Sequence, residues 1–206
     1  LVFIAVLLPL LITPGVFFAF DLTPKIVVLV LGTCIMLWFS RQHVQRIQRL
    51  ARSLRGRWFL GLLFAQWLSL TIAVALSASP DLSWNGSGWR RFGFLTQTCL
   101  AMVSLLAGAW IAEHKPRIKA LLRMIVGAGA VAAVYGILQY FGWDPLISAQ
   151  SYQAGEGIYM IVRPPGTLGH ADYFATWLVA VFFAGLALAP MEESPGSRTA
   201  TRVVTA

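Results

Sequence analysis

The sequence predicts an all-α fold, a polytopic membrane helical bundle of about six transmembrane helices with both termini cytoplasmic. Three observations lead there. Hydrophobic residues make up 58% of the 206 positions and charged residues only 12%, about half the share of roughly a quarter found in soluble domains. The apolar residues gather into six runs, near 1–20, 24–40, 58–78, 93–112, 122–142 and 172–190, each close to the roughly 20 residues that cross a bilayer as a helix. The cations sit in the connections, unevenly and in alternation. This patterning excludes a soluble enzyme, and a mean hydropathy of +0.72 excludes a disordered chain. It also excludes a nucleic-acid binder despite a pI near 10.2, because the basic residues occupy short loops between apolar runs.

Taken in order, the first run lacks the basic leader and small-x-small cleavage site of a signal peptide. It reads as a helix kinked at Pro9 and Pro14, which remove backbone donors. Barrel strands are excluded, since they would be shorter and alternate polar with apolar residues. The connection 41–57 holds Arg41, Arg46, Arg49, Arg52, Arg55 and Arg57. Val44, Ile47, Leu50, Leu54 and Trp58 recur between them at steps of three and four, which predicts a basic amphipathic cytoplasmic helix suited to an anionic membrane surface. Lys115, Arg117, Lys119 and Arg123 lie in the next connection on that side, and Arg198 and Arg202 in the tail. Only Lys25, Arg90, Arg91 and Arg163 fall opposite, a split of 12 to 4 that orients the bundle by the positive-inside rule. Cys34 and Cys99 both lie in apolar runs, so no disulfide framework is implied. Gly127, Gly129 and Gly136 in the fifth run predict close helix packing. The whole of 1–206 reads as one transmembrane domain. Beginning at Leu1 without Met and ending in Arg202-Val-Val-Thr-Ala206, it reads as the N-terminal part of a larger membrane protein.

Chemistry is expected in the outer loops, 79–92 and the periplasmic stretch 143–171. Pro164 forces Arg163 into extended backbone, and Pro165-Gly166 favours a turn. That turn delivers the chain to the start of the last span, where free amides and the helix dipole favour an anion. Arg163 beside them makes a phosphate or diphosphate clamp, or else it pairs with Asp172. Arg90 and Arg91 adjoin Trp89 and Phe92 and read either as interfacial anchors or as a second cationic lobe. His170 is a candidate base, or a capping residue at the helix start; no second His or Cys accompanies it outside, so no metal site is expected. Asp81, Asp144 and Glu156 lack the spacing of a catalytic pair, and Asn85-Gly-Ser87 is a weak glycosylation sequon. Trp84, Trp89, Tyr140, Trp143, Tyr152 and Tyr159 form an aromatic belt or a sugar-stacking platform.

These residues carry a resemblance. Arg163-Pro-Pro-Gly-Thr-Leu-Gly-His-Ala-Asp-Tyr-Phe-Ala175 resembles the arginine–glycine–Asn/Pro motif of the bacterial O-antigen ligase and polymerase superfamily. Phe20-Asp-Leu-Thr-Pro-Lys25 is similar to the family's first outer link, and Ser-Trp-Asn-Gly-Ser-Gly-Trp-Arg-Arg-Phe-Gly93 to its short outer loop with an arginine of its own. His170 and Asp172 depart from it, standing where many relatives have asparagines. The resemblance implies a glycan transferase of the bacterial inner membrane that needs no metal or cofactor. It would move a glycan from undecaprenyl diphosphate to a lipid A–core, another glycan or a protein hydroxyl among membrane lipids. Arg163 would contact the donor diphosphate, with Arg90 or Arg91 assisting and His170 nearby. Relatives have about twice as many spans and a late outer loop with a catalytic histidine. The catalytic residues are thus expected in a missing C-terminal part, leaving this piece inactive alone.

Two other classes stay open. A polytopic transporter or permease half would show broken helices or ionisable groups at mid-membrane depth, whereas the polar residues here gather at the outer edge. A scaffold would leave Arg163 dispensable.

Overall fold

A computed structural model of the chain describes residues 2–13, 22–87, 91–114, 116–155, 160–192 and 196. Helices dominate among them: α1 (Val2–Leu10), α2 (Thr23–Trp38), α3 (Ser40–Arg52), α4 (Leu54–Ala75), α5 (Pro80–Asn85), α6 (Phe94–Glu113), α7 (Pro116–Tyr140) and α8 (Ala171–Leu188). The strands are two-residue pieces, β1 (Gln153–Ala154) and β2 (Ile161–Val162), paired antiparallel with Gln153 opposite Val162. Four helices are long and apolar enough to cross a membrane: α4, α6, α7, and α8 with its extension to Met191. The chain is an all-α membrane protein. α2 has 16 residues, about 24 Å of rise against a hydrocarbon core of ~30 Å. Of the first apolar run the described helix covers only Val2–Leu10, with Pro9 inside it; Pro14 lies outside the described residues, as do Trp89, Arg90, Lys115, Glu156, Tyr159, Arg198 and Arg202.

The chain divides into two compact units, one holding Ile26–Ile118 and the other Val2–Lys25 with Lys119–Ala206. In the first, α3 packs on α4 and α6, and α5 on both of those helices. The amphipathic stretch expected over 41–58 is not a single helix. Ser53 is extended (φ −88, ψ 145) and its hydroxyl accepts the Gly56 amide at 3.0 Å, capping α4. A serine that competes for backbone donors stops a helix and starts the next one. Gly56 has no room for a side chain, since a Cβ there would meet the Leu50 carbonyl. Leu50 therefore turns inward, while Leu54 and Trp58 stand on α4, exposed. α3 is also tied to the end of α6. Arg46 Nε and Arg49 reach Glu113 at the end of α6 at 3.1 and 3.0 Å, and Arg117 donates to the same carboxylate at 2.5 Å.

In the second unit α7 and α8 meet through glycine. A Cβ on Gly129 would fall 2.4 Å from Val181, and one on Gly136 2.5 Å from the Phe174 ring. This is the close approach the sequence predicts, but Gly127 takes no part in it, having nothing within 4 Å. At one end of this pair Arg123 grips Glu192 by two hydrogen bonds of 2.6 and 2.7 Å, with Lys119 at 3.6 Å. At the other end α7 stops in a Schellman turn. Gly142 (φ +84) supplies the left-handed residue, and the amides of Gly142 and Trp143 donate to the Gln139 and Leu138 carbonyls. Cys34 and Cys99 are free thiols.

Candidate functional site in the outer turn

The segment Arg163-Pro-Pro-Gly-Thr167 is held by the second unit from three directions. Its local shape is set by sequence: Pro165 is helical (φ −79, ψ −9), Gly166 is left-handed (φ +57), and the Leu168 amide closes the turn on the Pro165 carbonyl at 3.2 Å. Gly166 is required twice, since a Cβ there would also strike the Phe174 ring at 2.7 Å. The Gly166 amide donates to Gln139 Oε1 at 2.9 Å. Lys25 Nζ donates to the Thr167 carbonyl at 2.6 Å, and the Thr167 hydroxyl donates to the Pro9 carbonyl at 2.5 Å. The last of these satisfies one of the carbonyls that the end of α1 leaves without a partner in the helix.

Gln139 is fully buried and uses both halves of its amide. Its Nε2 donates to Asp144 Oδ2 at 2.8 Å, while Asp144 Oδ1 accepts the Tyr135 hydroxyl at 2.7 Å and the Leu146 and Ile147 amides at 2.9 and 3.0 Å. Burial pushes the Asp144 carboxyl up, but these four donors together outweigh it and hold the pKa below its ordinary value. Burial, with the Asp144 charge adding to it, raises the Tyr152 pKa; the Tyr152 hydroxyl is buried and closes no hydrogen bond of standard geometry. The network holds the turn in place, and Arg163 is what that turn presents.

Arg163 borders a cavity of about 300 Å³ that is also lined by Ser151, Tyr152, Gln153, Pro165, Gly169, His170 and Ala171. Its amide is fixed to the Tyr152 carbonyl at 3.0 Å. The guanidinium is 57% exposed and makes one bond of 3.1 Å to Asp172, itself 69% exposed. His170 caps α8, its Nδ1 accepting the Asp172 amide at 3.2 Å. The pairing of Arg163 and the capping by His170 are thus both present, with the open cavity beside them. Below the cavity α8 continues the same face: Ala171 lines it, and Phe174 and Leu178, three and seven residues on, line an apolar groove of about 360 Å³ with Gly136, Tyr140 and Phe141.

Arg91 lies in the first unit, in a separate cavity of about 360 Å³ with Asn85, Gly86 and Thr96. It is left-handed (φ +46), a conformation that costs a non-glycine residue about 1 kcal/mol. Its amide donates to the Ser87 carbonyl and its own carbonyl accepts the Thr96 hydroxyl, both at 2.8 Å, and these bonds hold it there. Arg90 lies outside the described residues.

Sequence reasoning missed Gln139, Thr167 and Lys25 as parts of this site. Gln139 carried a faint signal, a polar side chain four residues after Tyr135 in a run of apolar ones. The chain matches no family model, no curated protein and no solved structure.

Proposed function

We propose that this chain is part of a glycan transferase of the bacterial inner membrane and binds a polyprenyl-diphosphate-linked glycan donor at the outer membrane edge. It crosses the membrane six times with both termini in the cytoplasm, as the 12-to-4 distribution of cations supports. One observation carries the donor site: Arg163 borders a cavity of mixed polar and apolar lining whose α8 wall runs on into an apolar groove. An amphiphile with a diphosphate head and an isoprenoid tail fits that sequence of surfaces. The diphosphate would replace Asp172 on Arg163. The exchange is easy, because an exposed pair contributes only about 0–1 kcal/mol, whereas a guanidinium takes phosphate oxygens in a two-pronged hydrogen bond. The departing diphosphate gains charge as the glycan leaves, and a preorganised cation stabilises that charge. His170 stands beside the bound head. The transfer reaction itself, to a lipid A–core or other acceptor, rests on the resemblance to the O-antigen ligase and polymerase superfamily.

The test is binding of undecaprenyl diphosphate and of undecaprenol to the chain in nanodiscs. The diphosphate should bind tighter, and Arg163→Ala should weaken it by about tenfold while leaving the alcohol unchanged. Equal binding of the two lipids, or an unaffected Arg163→Ala, defeats the reading. In cells, the same substitution should abolish glycan transfer without altering membrane insertion.

A further inference from the structure

The first unit carries an apolar groove of its own along the middle of its long helices. Between α3, α4 and α6 runs a groove of about 400 Å³ walled by Ile47, Leu60, Phe64, Trp67, Met102 and Leu105, with no charged side chain along it. On the α4 side nothing covers it, since none of the 18-residue apolar window of α4 is buried. From Leu60 to Trp67 the groove follows α4 for about 10 Å, most of the ~15 Å depth of one hydrocarbon leaflet.

Charge identifies what fills it. Arg57, Leu60, Phe64 and Trp67 recur along α4 at steps of three and four, so one helix face carries an arginine at the mouth of the groove. Around that mouth the described side chains include Arg46, Arg49, Arg52, Arg55, Arg57 and Arg117 against a single carboxylate, Glu113. Glu113 is taken by Arg46, Arg49 and Arg117. Arg52, Arg55 and Arg57 are exposed and have no acidic partner among the described residues. We propose that the groove is a binding site for one anionic phospholipid, its acyl chain lying against Leu60, Phe64 and Met102 and its phosphate held by Arg57. A second copy of the chain fits less well, because a symmetric contact on this face would bring each copy's arginines against the other's. The proposal is independent of the glycan-transfer reading, as it concerns a different unit, a different ligand and a different set of cations.

Native mass spectrometry of the full chain in detergent tests it, with phosphatidylglycerol and phosphatidylcholine of identical acyl chains as probes. One phosphatidylglycerol should be retained with about tenfold preference over phosphatidylcholine. Arg57→Gln should bring the two lipids level; its side chain faces solvent, so this variant tests the site without disturbing the fold. Ala101→Trp, which fills the groove, should abolish retention with every charge intact, and soluble glycerol phosphate should not compete. Equal retention of both lipids by the unaltered chain overturns the proposal. So does phosphatidylglycerol binding that survives Ala101→Trp or yields to glycerol phosphate, since either reports an anion patch without a groove. A dimer that forms as lipid is lost overturns it as well.

Discussion

The two ends of α8 each carry an arginine–carboxylate pair, and the two pairs do different jobs. At its far end Glu192 is 3% exposed and receives two short hydrogen bonds from Arg123, with Lys119 close by. At its start Asp172 is 69% exposed and receives one longer bond from an equally open Arg163. A buried carboxylate that loses its cation is left desolvated and unpaired, which costs several kcal/mol; an exposed one returns to water at almost no cost. The buried pair therefore fastens α7 to α8. The exposed pair orients a guanidinium that stays open to water.

That contrast is breakable in three ways. The largest effect should come from Arg123→Gln, which leaves the buried Glu192 carboxylate with only the more distant Lys119; we expect a loss of about 2–4 kcal/mol in thermal unfolding of the detergent-solubilised chain. A loss no larger than that of an exposed pair would erase the distinction.

Asp144 sharpens it, being a carboxylate just past the C-terminal end of α7 that is held by several donors, as Glu192 is. Its folded pKa lies below the usual value, so its stabilisation is complete above the unfolded value near pH 4 and fades as pH falls through the lower folded value. The difference in melting temperature between the parent chain and Asp144→Asn should be full at neutral pH and close under acid. A gap that stays constant across that range would mean that the ionised carboxylate contributes nothing.

The smallest effect on stability should come from Asp172→Ala, below about 0.5 kcal/mol. The same change should tighten undecaprenyl diphosphate binding, because the competitor for Arg163 is gone. Weaker binding would make Asp172 part of the site instead of its placeholder.

Much of this arrangement is written in local sequence. The four membrane-length helices follow the apolar runs closely, because burial of backbone polar groups in hydrocarbon leaves a helix little alternative. The turn at Pro164–Gly166 is equally local, since proline and glycine fix its dihedrals wherever the chain goes. The end of α3 was legible too, but overlooked: Ser53 and Gly56 are a cap and a tight approach inside what reads as one continuous amphipathic pattern. Other features depend on residues far apart. Glu113 lies 64 positions from Arg49, and Gln139 lies 27 from Gly166. No spacing rule joins such pairs; only the packing of α3 on α6, and of α7 on the outer turn, brings them within reach. Gly127 and Gly129 make the same point, two glycines a single residue apart of which the partner helix uses one.

The hydroxyl of Thr167 seals a carbonyl at Pro9, 158 residues earlier in the chain. The end of the first helix and the arginine-bearing turn therefore complete one another, each supplying a group the other needs. A nascent chain stalled short of residue 167 would have neither a finished first helix end nor a seated guanidinium.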